Sequence, residues 1–191
     1  MFKTLIRPAV SLLALMTLLL GIAYPLVIAG AAKVAFPRQA EGSLIFADGK
    51  LIGSTLIGQS FADPKYFWGR PSATTPQPYN GLGSTGSNLG PLNPALIDAV
   101  KANAKALHDA DPDNQRPIPV ELVTASASGL DPDVSPAAVE YQAARVAGAR
   151  HLELPRVEAL IKAHVRERLL GIIGERRINV LELNLALDRL Q

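Results

Sequence analysis

A group of three glycines is the sequence feature closest to a known ligand-binding motif. Gly81, Gly83 and Gly86 have the G-x-G-x-x-G spacing of a dinucleotide-binding turn. That turn binds pyrophosphate only where a strand leads into the glycines and a helix follows them, because the helix N-terminus supplies free amides. Prolines and polar residues flank the glycines here, so we predict a loop. A P-loop is excluded because Ser87 stands where the phosphate-binding lysine is required.

The acidic residues and histidines do not have the spacing of a metal site. Asp109, Asp111 and Asp113 match the start of an EF-hand loop, but Val120 occupies the position of the bidentate glutamate. We predict a solvated, turn-forming linker instead. The histidines share no metal-ligand spacing, and we expect them at the surface: His108, His151 and His164.

The sequence contains no recognisable set of nucleophile, base and orienting group. Ser126-Ala-Ser128-Gly129 lacks the first glycine of a nucleophile elbow, and no Ser-x-x-Lys occurs. The chain has no cysteine, which excludes thiol nucleophiles, disulfides and thiolate metal sites. We therefore predict an accessory protein without catalytic residues.

Three polar stretches, residues 70–75, 86–94 and 124–132, are rich in hydroxyls, carboxamides and backbone amides. Such loops can cap helices, bind the loops of a partner or line a polar path for a hard cation. They can equally be purely structural turns. The candidate residues for partner contact are Arg70, Pro71, Ser72, Ser87, Asn88, Asn93, Thr124, Ser126, Ser128 and Asp131, with Asn184 further along the chain.

Strands and an anchored loop are expected to position the first of these stretches. Asp48-Gly49 separates two strand-like runs, residues 43–46 and 51–57, and predicts a hairpin. The next 30 or so residues carry many prolines and glycines and no apolar periodicity. A loop of this length is usually functional. We expect Tyr66, Phe67 and Trp68 to anchor it in the core.

Helices are predicted where a capping residue precedes a proline. Asn93-Pro94 and Ser135-Pro136 each place an N-cap before proline at the first helical position. The first of these helices ends before Asp109 and the second near Ala149. A third helix is predicted over residues 155–170 from its apolar stripe.

Two shorter segments are less regular. Residues 118–122 alternate apolar and polar positions around a proline, which predicts a short edge strand. The tail from Ile178 alternates like a strand, yet Asn179 is a helix cap and the leucine spacing also suits a helix; we favour the helix.

The N-terminal segment from Pro8 to Ala32 is a nearly unbroken apolar run of 25 residues without charge. A helix needs about 20 apolar residues to cross the ~30 Å hydrocarbon core of a bilayer. We predict a transmembrane anchor over residues 1–38 and one globular domain over residues 39–191. The fold class is therefore α+β: one N-terminal transmembrane helix, then a domain with a small sheet, three to four helices and long ordered loops.

A cleaved secretory signal is the alternative to an anchor. Lys3 and Arg7 form a basic leading region, and Ala29-Gly30-Ala31 fits a cleavage site. The apolar run exceeds the usual 7–15 residues of a signal, which favours the anchor. Either interpretation places the globular domain outside, across the membrane from a cytoplasmic N-terminus.

The part of the chain that follows the apolar run, residues 33–191, is formally neutral. Without Lys3 and Arg7 the 19 basic residues fall to 17, equal to the 17 acidic residues. A neutral domain has no electrostatic footprint for nucleic acid, so no nucleic-acid partner is expected.

Several motifs in order along the chain resemble one known family. They are Leu56-Ile57-Gly58-Gln59, Tyr66-Phe67-x-x-Arg70-Pro71-Ser72-Ala73, Gly86-Ser-Asn-Leu-Gly-Pro-Leu-Asn-Pro94, Val120-Glu-Leu-Val-Thr-Ala-Ser-Ala-Ser-Gly-Leu-Asp-Pro132, Ser135-Pro136, Gln142, Arg145-Val146-Ala147 and the run Asn179–Asp188. Together with the N-terminal span, they closely resemble the KdpC family, the C subunit of the Kdp potassium-transporting P-type ATPase. One departure is Ser84-Thr85-Gly86-Ser87, where the family usually has Ser-Gly-Gly-Ser.

The resemblance implies a single-pass subunit of the cell inner membrane, in contact with membrane lipid and with its globular domain in the periplasm. Its implied partners are a potassium-binding channel-like subunit, an ATP-hydrolysing P-type subunit and a small stabilising peptide. Its implied role is to support assembly and stability, and to act as a catalytic chaperone that raises the ATP affinity of the pump subunit. ATP is then bound at that subunit, potassium is transported by the complex, and the chain has no intrinsic cofactor or metal.

Within this resemblance Gln142 is the candidate nucleotide contact, and its alternative is a surface glutamine that packs on a partner. A domain outside the membrane does not reach cytoplasmic nucleotide, so we expect an indirect effect. By capping the outer mouth of the channel-like subunit, the domain would bias the conformational equilibrium of the pump. The rival interpretation is an independent exported small-ligand-binding module.

Overall fold

The computed structural model describes residues 2–190, and the chain divides into two compact units, Met1–Ile52 and Gly53–Gln191. Within the described residues the regular structure consists of helices and two two-stranded sheets. The predicted α+β class is therefore confirmed.

The first unit begins with a long apolar helical rod. Helix α1 (Phe2–Met16), a π-helical stretch (Thr17–Ala23) and helix α2 (Tyr24–Ala35) follow one another without a break. Within residues Thr4–Ala35 an 18-residue stretch has a mean hydropathy of 2.4, and none of it is buried. At 32 residues this segment is long and apolar enough to cross a membrane.

Pro25 lies within the rod and does not end it. It lies in the first turn of α2, where its ring would press on the carbonyl of Gly21 in a regular α-helix. The wider π-helical stretch directly before α2 supplies the room that this ring needs. The rod ends instead at Phe36, which precedes Pro37 and adopts φ −139°. A short helix α3 (Pro37–Ala40) follows.

Strands β1 (Leu44–Ala47) and β2 (Lys50–Ser54) form the hairpin that the sequence predicts. Both turn residues have positive φ, 49° at Asp48 and 74° at Gly49. This is the backbone of a type I′ turn, which favours the Asp-Gly pair.

The second unit is built around one central helix. Eight of the fifteen residues of α5 (Pro136–Arg150) are buried, and α6 (Leu154–His164) packs along it. Helices α4 (Pro94–Ala110) and α7 (Val180–Asp188) complete the helical set. Strands β3 (Asp133–Val134) and β4 (Ile178–Asn179) pair antiparallel, with Val134 opposite Ile178. The most deeply buried apolar side chains are Phe67, Ala138, Val139, Val146, Val157, Ile178, Leu183 and Leu187.

Capping residues set the helix starts that the sequence predicts. The side chain of Asn93 accepts from the amide of Ala95 at 3.0 Å, and that of Ser135 accepts from Ala138 at 3.2 Å. Asn179 accepts from the amide of Glu182 at 3.0 Å, which confirms a helix for the tail.

Two sequence predictions are wrong. Residues 118–122 are not a strand: Val120–Leu122 form a 3₁₀ turn, because the Leu122 amide bonds to the Pro119 carbonyl at 3.0 Å. The third helix ends at His164 and not at residue 170. The chain becomes extended at Val165, and residues 165–177 form a separate hairpin.

Candidate functional site

Two buried carboxamides fix the start of the long loop to the helices. Asn184 on α7 accepts from the Phe67 amide and donates to the Phe67 carbonyl, both at 2.9 Å. Gln142 on α5 accepts from the Trp68 amide at 2.8 Å and donates to the Trp68 carbonyl at 3.1 Å. Each carboxamide thus accepts one hydrogen bond from the backbone of a single residue and donates one to it, as a neighbouring β-strand would. We call these two side chains the carboxamide clamp.

Gln142 is 1% exposed, so the interpretation of this residue as a surface glutamine is wrong. Besides Trp68, its side chain bonds to the Ala138 carbonyl at 3.1 Å and accepts from Arg145 at 2.7 Å. The donors and acceptors of its amide are engaged within the chain, and a nucleotide contact at this residue stays a prediction.

Arg145 reinforces the clamp from the same face of α5. Its guanidinium lies 4.4 Å from the centre of the Trp68 ring, a cation–π distance, and donates to the carbonyls of Pro64 and Tyr66. Burial lowers the pKa of Arg145 to about 10, which leaves the side chain charged at neutral pH. A cation is thereby held inside the domain by carbonyl oxygens and an aromatic face.

Downstream of the clamp, two of the predicted polar stretches join into one surface, residues 70–85 and 125–132, which we call the loop platform. The Ser72 hydroxyl connects them, since it donates to the Gly129 carbonyl at 2.7 Å and accepts from the Tyr79 amide at 2.9 Å. Ser126, which is 3% exposed, donates its amide to the Pro71 carbonyl at 3.3 Å. The hydroxyl of Ser126 accepts from the Gly129 amide at 2.9 Å.

Thr74 and Tyr79 fix the curvature of the first platform segment. The Thr74 hydroxyl donates to the Gln77 carbonyl at 2.7 Å and accepts from the Asn80 amide at 3.0 Å. The Tyr79 hydroxyl donates to the Arg70 carbonyl at 2.6 Å. Burial raises the pKa of Tyr79 to about 12, so the phenol remains a donor throughout the physiological range.

An ion pair joins the two platform segments at the side of the domain. Arg70 Nη1 lies 3.2 Å from Asp131 Oδ2, and Arg70 Nη2 donates to the Ala125 carbonyl at 3.4 Å. The other oxygen of Asp131 accepts from the Asp133 amide at 3.1 Å. Both partners are half-buried, which screens the pair less than a surface pair.

Gly129 is required where the two segments approach most closely. Its φ is +67°, and a Cβ at this position would lie 2.6 Å from the Thr85 carbonyl oxygen. Neighbouring bonds close the same seam, with the Thr85 amide and the Ser84 hydroxyl both donating to the Ser128 carbonyl at 3.0 Å.

The stretch after the platform faces outward. Ser87 and Asn88 are exposed, and neither side chain has a hydrogen-bond partner within residues 2–190. Leu82 is 100% exposed and Leu92 is 91% exposed on either side of them. We call residues 82–92 the outer edge.

The predicted candidates therefore separate into distinct structural roles. Arg70, Pro71, Ser72, Ser126, Ser128 and Asp131 join the platform, Asn184 belongs to the clamp, Asn93 caps α4, and Thr124 donates to the Val120 carbonyl at 2.8 Å. Of the predicted set, Ser87 and Asn88 present unengaged groups to solvent. Sequence reasoning missed Thr74 and Tyr79 as structural joints; their only signal was a hydroxyl inside a loop rich in proline.

The surface also contains a cleft of about 300 Å³ beside the platform, lined in part by Phe61, Trp68, Arg70, Tyr79 and Asn103. This volume is at the lower limit of small-molecule pockets. Within the described residues, no three His, Asp or Glu side chains are grouped to hold a metal ion. His108 and His151 are exposed as expected, and His164 is half-buried against the Leu160 carbonyl.

Comparison with known proteins gives a consistent result. The family KdpC, described as K⁺-transporting ATPase, c chain, matches residues 6–189. Proteins named Potassium-transporting ATPase KdpC subunit from Dechloromonas aromatica (strain RCB) and Variovorax paradoxus (strain S110) are each 62% identical over 186 residues. These matches cover 97% of this chain and 97% and 96% of the relatives. A protein of the same name from Polaromonas naphthalenivorans (strain CJ2) is 60% identical over 189 residues, covering 99% of this chain and 96% of the relative.

The match extends over the apolar rod, the clamp, the loop platform and the outer edge, in the order that the sequence motifs predict. Identity of this level over almost the whole length leaves no large segment without a counterpart. The chain therefore belongs to the KdpC family, the c chain of the K⁺-transporting ATPase.

Proposed function

We propose that the chain supports assembly and stability of an ATP-driven potassium uptake complex in the cell inner membrane, and that its globular domain caps the outer mouth of the channel-like subunit. The partners in this proposal are that channel-like subunit, the ATP-hydrolysing subunit and the small stabilising peptide. The observation that carries it is the outer edge, where exposed leucines and unengaged polar groups project from a fixed platform.

A preformed surface suits a structural subunit. Binding by a mobile loop must order each residue of the loop at a free-energy cost, whereas a fixed loop has already met that cost during folding. The platform loops are fixed by side chain-to-backbone bonds such as those of Ser72 and Thr74. The charge of the domain also fits a cap over a potassium entry path, because residues 39–191 contain 15 basic and 17 acidic residues and a strongly positive cap would repel the ion.

The proposed effect on ATP affinity is indirect. The apolar rod spans the membrane with its N-terminus in the cytoplasm, and the domain lies in the periplasm, on the opposite side from nucleotide. A domain that contacts the channel-like subunit more closely in one state shifts the population of that state, and reciprocal coupling then changes ATP affinity. The engaged amide of Gln142 is consistent with this route, which requires no nucleotide contact in this chain.

Adding positive charge to the outer edge tests the proposal. The double variant Ser87→Arg/Leu92→Arg leaves the core and the backbone conformation untouched, because both side chains are exposed and neither residue has a positive φ. We expect its co-purification with the partner subunits to fall about tenfold, an effect equal to about 1.4 kcal/mol. The ATP concentration required for half-maximal hydrolysis by the complex should rise in parallel.

The matched control is Ala163→Arg, which places the same side chain at an exposed position of α6. This variant should assemble normally. Normal assembly and normal ATP dependence of the double variant as well would contradict the capping proposal. The cleft beside the platform favours the rival, an exported small-ligand-binding module, which predicts a stable solitary protein whose loss leaves potassium transport unchanged.

A further inference from the structure

The hairpin that replaces the end of the predicted third helix carries an unusual apolar end. Arg166 and Arg177 exchange backbone bonds of 2.8 and 3.1 Å, and Leu169 and Ile173 exchange bonds of 2.9 and 3.0 Å. Four large aliphatic side chains, which we call the apolar tip, surround the turn between them. Their exposed fractions are 65% for Leu169, 82% for Leu170, 78% for Ile172 and 56% for Ile173.

The turn itself disfavours the residue that occupies it. Leu170 has φ +54°, followed by Gly171 at φ +77°. Such positions normally hold glycine, asparagine or aspartate, because a larger side chain is strained there. An exposed leucine in this conformation is unfavourable for the backbone and for solvation. Because Leu170 is unfavourable both for the backbone and for solvation within the domain, we infer that it interacts with something outside the folded domain.

Basic residues flank the apolar tip. Residues 166–177 contain four arginines and two glutamates, a net charge of +2, whereas the rest of residues 39–191 has a net charge of −4. The arginines pair with Glu182, Glu175, Glu167 and Asp133, and each keeps about half of its side chain exposed. Surface ion pairs of this kind contribute little, so their guanidinium groups can exchange a carboxylate for a phosphate.

We propose that the apolar tip inserts into the boundary between headgroups and acyl chains of an anionic bilayer, with the flanking arginines on lipid phosphates. Aliphatic side chains beside basic residues have the composition of interfacial membrane contacts. Leucine is under-represented at the hot spots of protein interfaces, and it supplies two of the four side chains of the apolar tip.

A weak contact between the apolar tip and the bilayer is sufficient, because the rest of the chain tethers the domain to the membrane. This inference rests on the proposed membrane anchor, but not on the proposed cap. The segment between the rod and the second unit, residues 36–52, spans at most about 60 Å when extended. The domain is thereby held near the bilayer, and tethering converts a weak interaction into a highly populated one.

Lipid quenching of a single label tests this contact. Because the chain has no cysteine, Ile172→Cys can carry one fluorophore in the full chain, reconstituted alone into vesicles of phosphatidylethanolamine and phosphatidylglycerol. Leu82→Cys, at a fully exposed leucine of the outer edge, is the control. Lipids with a quencher on the acyl chain should quench the label at position 172 several-fold more strongly than the label at position 82.

Equal quenching at positions 172 and 82 would overturn the proposal. Protection of position 172 that develops only after the partner subunits are added would overturn it too, in favour of a protein contact. The comparison of positions 172 and 82 is made in vesicles without partner subunits, so it does not depend on the cap.

The variant Leu170→Asn in the Ile172→Cys background separates membrane contact from folding. Asparagine tolerates positive φ, so the melting temperature should stay the same or rise while the lipid quenching decreases. Undiminished quenching in a folded variant would argue against the apolar tip as the inserting group.

Discussion

The loop platform and the hairpin of residues 165–177 are both irregular segments, but different groups hold them in place. Side-chain hydrogen bonds hold the platform, and backbone hydrogen bonds hold the hairpin. In the platform, side chains such as those of Ser72 and Ser84 bond to the backbone of the other platform segment. In the hairpin, the backbone bonds to itself and the side chains of the apolar tip are left outside. Replacing a side chain should therefore disturb the conformation of the platform. In the hairpin, such a replacement should leave the conformation intact and change only the interactions that the apolar tip makes.

The largest expected effect comes from breaking the clamp that supports the platform. Asn184→Ala leaves the buried amide and carbonyl of Phe67 without partners, and each unsatisfied group costs about 1–3 kcal/mol. We expect the free energy of unfolding to fall by about 3 kcal/mol. Denaturant unfolding of the detergent-solubilised full chain, followed by the fluorescence of the single tryptophan, measures this change.

Ser87→Ala is the control, because Ser87 is exposed, its side chain is unengaged and its φ is not positive. Its effect should stay within about 0.5 kcal/mol. Equal effects of the two alanine variants would mean that the clamp does not stabilise the domain.

A smaller loss is expected at the seam between the platform segments. Gly129→Ala places a methyl group 2.6 Å from the Thr85 carbonyl oxygen at a positive φ, which should cost about 2 kcal/mol. The same change at Gly148, on the exposed face of α5 with open space around it, should instead stabilise by about 0.5–1 kcal/mol. The opposite signs are the test, and destabilisation by both variants would refute the seam argument.

The apolar tip should respond in the reverse direction. Leu170→Asn relieves strain at φ +54° and removes an exposed apolar side chain, so we expect a gain in stability of about 0.5–1 kcal/mol. Thermal unfolding of the full chain in detergent measures it. A loss as large as that of Gly129→Ala would show that the hairpin depends on its side chains as the platform does.

Asp133 joins the two regions and gives the smallest expected effect. Its backbone amide bonds to Asp131 in the platform, and its carboxylate lies 2.9 Å from Arg177 in the hairpin. Burial raises the pKa of Asp133 above its ordinary 3.8, outweighing the lowering by Arg166 and Arg177. The native state then binds the carboxyl proton of Asp133 more tightly than the unfolded state does. The contribution of Asp133 to the free energy of unfolding therefore falls as the pH rises through the raised pKa.

The variant Asp133→Asn lacks this titration. Relative to the unmodified chain, it should gain stability as the pH rises from about 3.8, which paired unfolding curves across that range measure. A relative loss of stability with rising pH would mean that the arginines favour the ionised carboxylate more than burial opposes it.

Local signals were sufficient for most elements of the fold. Caps at Asn93, Ser135 and Asn179 predicted three helix starts, and Asp48-Gly49 predicted the hairpin turn. These features depend on hydrogen bonds between residues close in sequence, which a sequence pattern records directly.

Distant contacts explain what sequence reasoning missed. Leu169 extended the apolar stripe of the third helix, but it is 65% exposed, because the pairing of Arg166 with Arg177 draws the chain into a hairpin. The burial of Gln142 was not predicted because its partner, the Trp68 backbone, lies 74 residues away in the sequence. Of the candidate site, the sequence identified the stretches but not which residues join the platform and which face outward.

The clamp also has a consequence for biogenesis. Phe67 and Asn184 are 117 residues apart, so a chain made from its N-terminus presents the platform segments long before α7 exists. Until Asn184 is synthesised, the start of the loop has no partner for the backbone groups of Phe67. A truncated or stalled product should then display no ordered docking face, and a partner would recruit only finished chains.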